Sequence, residues 1–167
     1  MTPMTELAEI LREGACLVGL GNPDRRDDGV GPWIAEAVRP AAGRSSLRVF
    51  NVEDVLENFV FQIAGADCRN VVIVDAAAGG GEPGTVVFGP LGDFAASGSV
   101  STHKLALELS GKILESAGKR AFLLGVVPED LGYGPGLTPK VQESAVRLRD
   151  LVLRAAGQAG EENVHES

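Results

Sequence analysis

The sequence predicts a single-domain α/β protein of three layers. A mostly parallel twisted sheet of about five strands, with one antiparallel edge strand, lies between two layers of helices. Two observations carry this prediction. Short apolar runs alternate along the chain with stretches whose apolar residues recur at helical spacing. The chain is also the right size: 167 residues, 44% hydrophobic and 23% charged. That length suits one domain, and it can bury roughly 70% of its unfolded surface without a covalent or metal staple.

Residues 2–13 place Leu7, Ile10 and Leu11 on one face of a short amphipathic helix, and residues 1–14 form an N-terminal extension to a domain over 15–156. Ala15–Leu20 is a buried strand ended by Gly21-Asn22-Pro23, and a charged loop over 24–28 follows it. Val30, Ile34, Ala37 and Val38 mark a helix that Pro40 ends. Leu47–Val52 is the next strand, and Leu56, Phe59, Val60 and Ile63 mark a helix ended by Gly65. Val71–Val74 is continuously β-branched, the signature of a central strand covered on both faces.

A glycine-rich turn over 79–84 leads to an edge strand, Thr85–Phe88, and then to a loop over 89–100. A helix over about 102–116 and a strand Phe122–Val127 come next. Thr138-Pro139 supplies an N-cap and an N1 proline for the last helix, whose inner face holds Val141, Ala145, Leu148, Val152 and Ala155. Residues 157–167 read as a loose polar tail.

Charge and composition exclude several functions. Fifteen Lys and Arg against 23 Asp and Glu leave a net charge of -8. Such a surface repels phosphate backbones and anionic lipid, so neither nucleic acid nor membrane is the expected partner. No run approaches the roughly 20 apolar residues of a membrane span. The acidic N-terminus does not read as a signal peptide. Cys16 and Cys68 are far apart without CxxC spacing, which predicts no disulfide framework and no cysteine-built zinc site. Both read as buried hydrophobes in a reducing, cytoplasmic protein.

In open α/β sheets the ligand crevice lies beyond the carboxyl ends of the strands. Three polar segments should meet there. Asp27 and Asp28 lie in the loop after the first strand, Asp75 directly ends the strand Val71–Val74, and Ser101-Thr102-His103 opens a helix that runs back from that edge. The edge strand would carry the chain to the wrong end, but the loop 89–100 can span up to roughly 40 Å and return it. His103 and His165 are the two histidines, and His165 is in the tail. One imidazole and carboxylates from separate loops form a mixed N/O donor set suited to a divalent transition metal. Three such ligands leave coordination positions open. Taken singly, Asp28 and Asp75 read as caps and His103 as an ordinary residue at a helix start. Only their convergence makes them a candidate site. Asp27 and Asp28 are adjacent, so their side chains diverge and at most one reaches a shared ligand.

Other motifs fail. Gly19-Leu20-Gly21 lacks the third glycine of a dinucleotide fingerprint, and acids follow where a pyrophosphate would sit. There is no HExxH and no GxSxG.

Taken together, Gly19-Leu20-Gly21-Asn22-Pro23 and Asp27-Asp28-Gly29-Val30-Gly31-Pro32 resemble the opening of the nickel-iron hydrogenase maturation endopeptidases. Val72-Ile73-Val74-Asp75-Ala76 with Glu82-Pro83-Gly84, then Ser101-Thr102-His103-Lys104-Leu105, then Leu124-Gly125-Val126-Val127-Pro128-Glu129, are similar to three later segments of that family in the same order. The resemblance implies an endopeptidase that removes a C-terminal extension from a [NiFe]-hydrogenase large-subunit precursor after nickel insertion. It also implies that Asp28, Asp75 and His103 are the metal-contacting and catalytic residues. The nickel would be supplied by the substrate, with no organic cofactor. Many members carry a Gly-Gly pair after the second strand, where this chain has Asn51 to Asn58; Glu57-Asn58 is closer to the branch that processes formate-linked or energy-converting hydrogenases.

Two rival readings stand beside this one. A non-catalytic nickel- or precursor-binding checkpoint protein could use the same three residues. Peptidyl-tRNA hydrolases open on a similar Gly-Leu-Gly-Asn-Pro, but that family expects a histidine shortly afterwards, where this chain has Arg25-Arg26-Asp27-Asp28.

Overall fold

The computed structural model describes residues 2–43, 46–78, 81–97, 100–101 and 103–166, with backbone alone at 78, 95–97, 100–101 and 158–166. The β-branched run nucleates the sheet. β3 (Asn70–Ala78) pairs in parallel with β1 (Ala15–Leu20) on one side and with β6 (Arg120–Val126) on the other. β2 (Leu47–Glu53) adds in parallel outside β1, and β4 (Val86–Pro90) adds antiparallel outside β6. The order is β2-β1-β3-β6-β4, the predicted sheet with its antiparallel edge. The edge strand runs on to Pro90, a position where a missing N–H is tolerated.

Side chains alternate across the sheet, so each strand feeds two cores. Leu17, Val72, Val74, Phe122 and Leu124 pack with α1 (Pro3–Glu13), α2 (Val30–Val38) and α6 (Pro139–Glu166). Cys16, Val18, Leu20, Ile73 and Leu123 pack on the opposite face with α3 (Val60–Ala64) and α5 (Lys104–Ser116). The N-terminal extension is part of this construction. Thr2 caps α1 by accepting the Thr5 N–H at 3.2 Å, and Leu7, Ile10 and Leu11 are buried in the first core.

Several elements differ from expectation. The stretch read as one helix over 56–63 begins as a 3-10 turn, Leu56–Asn58, before the five-residue α3. The segment read as a loop over 89–100 holds α4 (Leu91–Ser97) and a short strand, β5 (Val100–Ser101). β5 pairs antiparallel with the end of β3, Ala77 opposite Ser101. This pairing returns the chain to the carboxyl edge, and tertiary hydrogen bonding of this kind leaves no trace in local hydrophobic spacing. Residues 157–166, expected to be a loose tail, have helical backbone continuous with α6. The segment contains no proline, and Ala, Gln and Glu prolong a helix once it is nucleated.

The cysteines require the largest correction. Cys16 and Cys68 form a disulfide with their Cα atoms 6.2 Å apart. Cys16 is at the start of β1, where it pairs with Val71, and Cys68 lies just ahead of β3, so the parallel register brings the two together. Cys16 is fully buried, as its apolar strand predicts, but it is bonded rather than a free thiol.

Helix α2 crosses the sheet at unusually close range. A Cβ on Gly31 would lie 2.3 Å from the Val74 carbonyl oxygen and 2.4 Å from that of Leu20. Only glycine fits, because both obstacles are backbone. Gly31→Ala should therefore cost about 1–3 kcal/mol, read as a lower urea midpoint at unchanged m. A midpoint equal to wild type would mean that α2 can lift without penalty.

Candidate metal-contacting site

β1 delivers the first acid. Its end turns through Gly21, at φ 142, where a Cβ would collide with the Asp28 carbonyl oxygen. The chain then forms a 3-10 turn, Arg26–Gly29, packed against α2 and β3. Asp28 is buried in this turn, and its Oδ2 accepts the Asn22 backbone N–H at 2.9 Å. β3 delivers the second acid, Asp75, which is fully buried. The third residue, His103, is the N-cap of α5, placed there by the β5 pairing.

The three converge as expected. One ligand atom each from Asp28, Asp75 and His103 lies within 4.8 Å of the others. The His103 Nδ1 is 3.5 Å from the Asp75 Oδ1. Two donors about 2.1 Å from one tetrahedral ion would stand about 3.4 Å apart, so this pair already has the spacing of shared ligands. An N/O/O set of this kind suits a first-row divalent ion and leaves positions open.

His103 has its pKa raised, first by its hydrogen bond to Asp75 and further by the charges of Asp75, Asp28 and Asp54, against an opposing effect of burial. The raised value means that His103 adds stability which is full below the unfolded pKa and is lost as pH rises through the folded one. Metal ligation requires the proton to leave. In a proton NMR titration of the metal-free protein, the His103 resonance, assigned by its loss in His103→Gln, should titrate above the ordinary 6.5. In Asp75→Asn the midpoint should fall. An unchanged midpoint would mean that the imidazole is not held by Asp75.

Asp27 points elsewhere. Its Oδ2 accepts from Glu129 N at 2.9 Å, Asp130 N at 3.0 Å and the Thr138 hydroxyl at 2.8 Å. Its Oδ1 accepts from Thr138 N at 2.8 Å. The two adjacent acids do diverge: one joins the cluster, and the other holds the loop that follows β6. Thr102, between β5 and His103, lies outside the described residues.

Among families of known proteins, the model of the HycI hydrogenase maturation proteases matches residues 41–155. The chain belongs to the hydrogenase maturation protease family. This protease has the fold of its relatives. The HycI [NiFe] hydrogenase maturation protease of Thermococcus kodakarensis superposes with a TM-score of 0.74 at 25% identity, over 91% of this chain and 99% of that one. A hydrogenase 3 maturation protease gives 0.69 at 25% identity, over 82% and 87%. The HybD hydrogenase maturating endopeptidase of E. coli shares the fold, with 0.70 at 23% identity over 88% and 94%. No curated protein sequence matches significantly.

The family match begins at residue 41 and so takes in Asp75 and His103 but not Asp28. The place of Asp28 in the protease rests on the geometry above. Sequence reading missed Asp54, whose charge acts on His103, and the role of Asp27. No local signal marks the role of Asp27, because its partners at Glu129, Asp130 and Thr138 are more than a hundred residues away. Among the described residues, no helix is long and apolar enough to cross a membrane.

Proposed function

We propose that this protease removes the C-terminal extension of a [NiFe]-hydrogenase large-subunit precursor after nickel insertion, and that it recognises the nickel already held by that substrate. The observation that carries the reading is the cluster of Asp28, Asp75 and His103, contributed by three separate elements at one sheet edge. Three donors are too few to saturate a divalent ion, which suits a metal that must keep ligands from its own protein.

In this reading Asp28, Asp75 and neutral His103 dock on the precursor's nickel and so place the scissile bond. Burial of both carboxylates keeps their charge unscreened, which favours a cation-bearing substrate over a metal-free one. The metal on the substrate polarises the carbonyl or a bound water. The carboxylates orient that water and take up its proton. The net charge of -8 accords with a protein substrate presenting a cation and against nucleic acid.

The test is the intact mass of a large-subunit precursor, nickel-loaded and nickel-free, after incubation with the protease. Loss of a C-terminal peptide from the loaded form alone is the expected result. Equal cleavage of both forms would remove nickel recognition from the proposal. A stable complex without cleavage would leave only a binding or checkpoint role.

A further inference from the structure

Asp27 is a fully buried carboxylate that makes no contribution to the metal-contacting cluster, yet it is the residue next to Asp28. Its four accepted hydrogen bonds come from three residues, Glu129, Asp130 and Thr138, all in the segment between β6 and α6. Four donors on one ionised carboxylate are charge-assisted bonds in a buried setting, where each is stronger than at the surface. The same two segments are also tied through backbone. Asp27 N donates to Asp130 O at 3.1 Å, Arg26 N to Gly134 O at 3.1 Å and Gly134 N to Asp24 O at 2.9 Å. The first loop is thus clamped along its length: the Asp27 side chain bridges both ends of the later segment, and Arg25 Nε donates to the Leu131 carbonyl at 3.1 Å while Arg26 pairs with Asp130 at 3.4 Å.

We propose that Asp27 is a positioning residue for the site: by anchoring the first loop to the 127–138 segment, it sets where the Asp28 carboxylate stands relative to Asp75 and His103. This rests on the functional reading above, in which Asp28 contacts the substrate's metal. The argument is geometric. Asp28 lies in a 3-10 turn only four residues long, where its Oδ2 accepts the Asn22 N–H and its own N–H donates to the Arg25 carbonyl. A turn so short has little rigidity of its own, and a rotation that relaxed Asp27 would swing the neighbouring Asp28 out of the cluster. Outer partners that orient metal ligands in this way commonly contribute 10–100-fold to metal affinity or activity.

Asp27→Asn keeps the shape but brings an NH2 group against at least one N–H donor, and Thr138→Val removes one bond while Thr138→Ser keeps it. Leu114→Ala, in the second core and eleven residues along α5 from His103, supplies a loss of stability near the far end of that helix from the cluster. All are assayed at a temperature at which each is folded by circular dichroism. Two quantities are read: kcat/KM on nickel-loaded precursor, and affinity for Ni2+ alone by calorimetry. Asp27→Asn should lose about 10–100-fold in both. Thr138→Val should lose less, and Thr138→Ser and Leu114→Ala should stay near wild type. Wild-type values in Asp27→Asn, or an equal loss in Leu114→Ala, would overturn the positioning role and leave the functional reading intact. If the wild-type protein neither cleaved the precursor nor bound Ni2+, the functional reading would fall and this inference with it.

Discussion

His103→Ala and Asp75→Asn should each lower kcat/KM on nickel-loaded precursor by more than about 100-fold, above the range typical of residues that only orient metal ligands. His103→Ala removes one of three donors that lie within 4.8 Å of one another, and Asp75→Asn replaces an anionic oxygen donor with a neutral, weaker one, so either leaves a poorer hold on a divalent ion. Stability should move the other way for Asp75→Asn. Asp28 and Asp75 are both buried, and two buried carboxylates facing each other repel. Converting one to a neutral amide relieves that repulsion, so at a pH above the folded pKa of His103, where its pairing with Asp75 no longer adds stability, the melting temperature should hold or rise while cleavage is lost. Cleavage assayed by intact mass beside a thermal melt separates the two effects. A variant that cleaves at the wild-type rate would exclude its residue from the site.

Reduction of the Cys16–Cys68 bond should destabilise the fold by about 4 kcal/mol, the loop-closure value for a separation of this size. The cysteines are 52 residues apart and their bond ties the start of β1 to the approach of β3, the central pair of the sheet. For a chain of 167 residues this corresponds to a fall in melting temperature of roughly 8–16 °C. The comparison is wild type with and without reductant, and Cys68→Ala, in which reductant should have no further effect. Alkylation of the unreduced, denatured protein should find no free thiol. Two reactive thiols there would show that the pair stays reduced in solution.

The residues of the cluster were legible for a definite reason. Asp28 and His103 each precede a recognisable helix, Asp75 directly continues the apolar run Val71–Val74 within β3, and the carboxyl edge of a parallel sheet gathers what these positions carry. Strand identity came from apolar runs such as Val71–Val74, and helix limits from Pro40 and Thr138-Pro139, signals that act over a few residues. The return of the chain to His103 was expected only as a reach of the 89–100 loop. The actual device, α4 followed by the pairing of β5 with Ala77 and Ala78, depends on hydrogen bonds to a strand more than twenty residues earlier.

The sequence by itself therefore determined the fold class and the meeting of Asp75, His103 and one acid of the first loop at the sheet edge, because each of these follows from local patterning and from the direction of parallel strands. Only the tertiary structure decided which of the adjacent acids joins the cluster. The four donors that hold Asp27 belong to a segment over a hundred residues away, and no local rule separates it from Asp28. The disulfide was decided in the same way. Cys16 and Cys68 become neighbours through the register of β1 on β3, and register is a property of two strands together that neither strand carries alone.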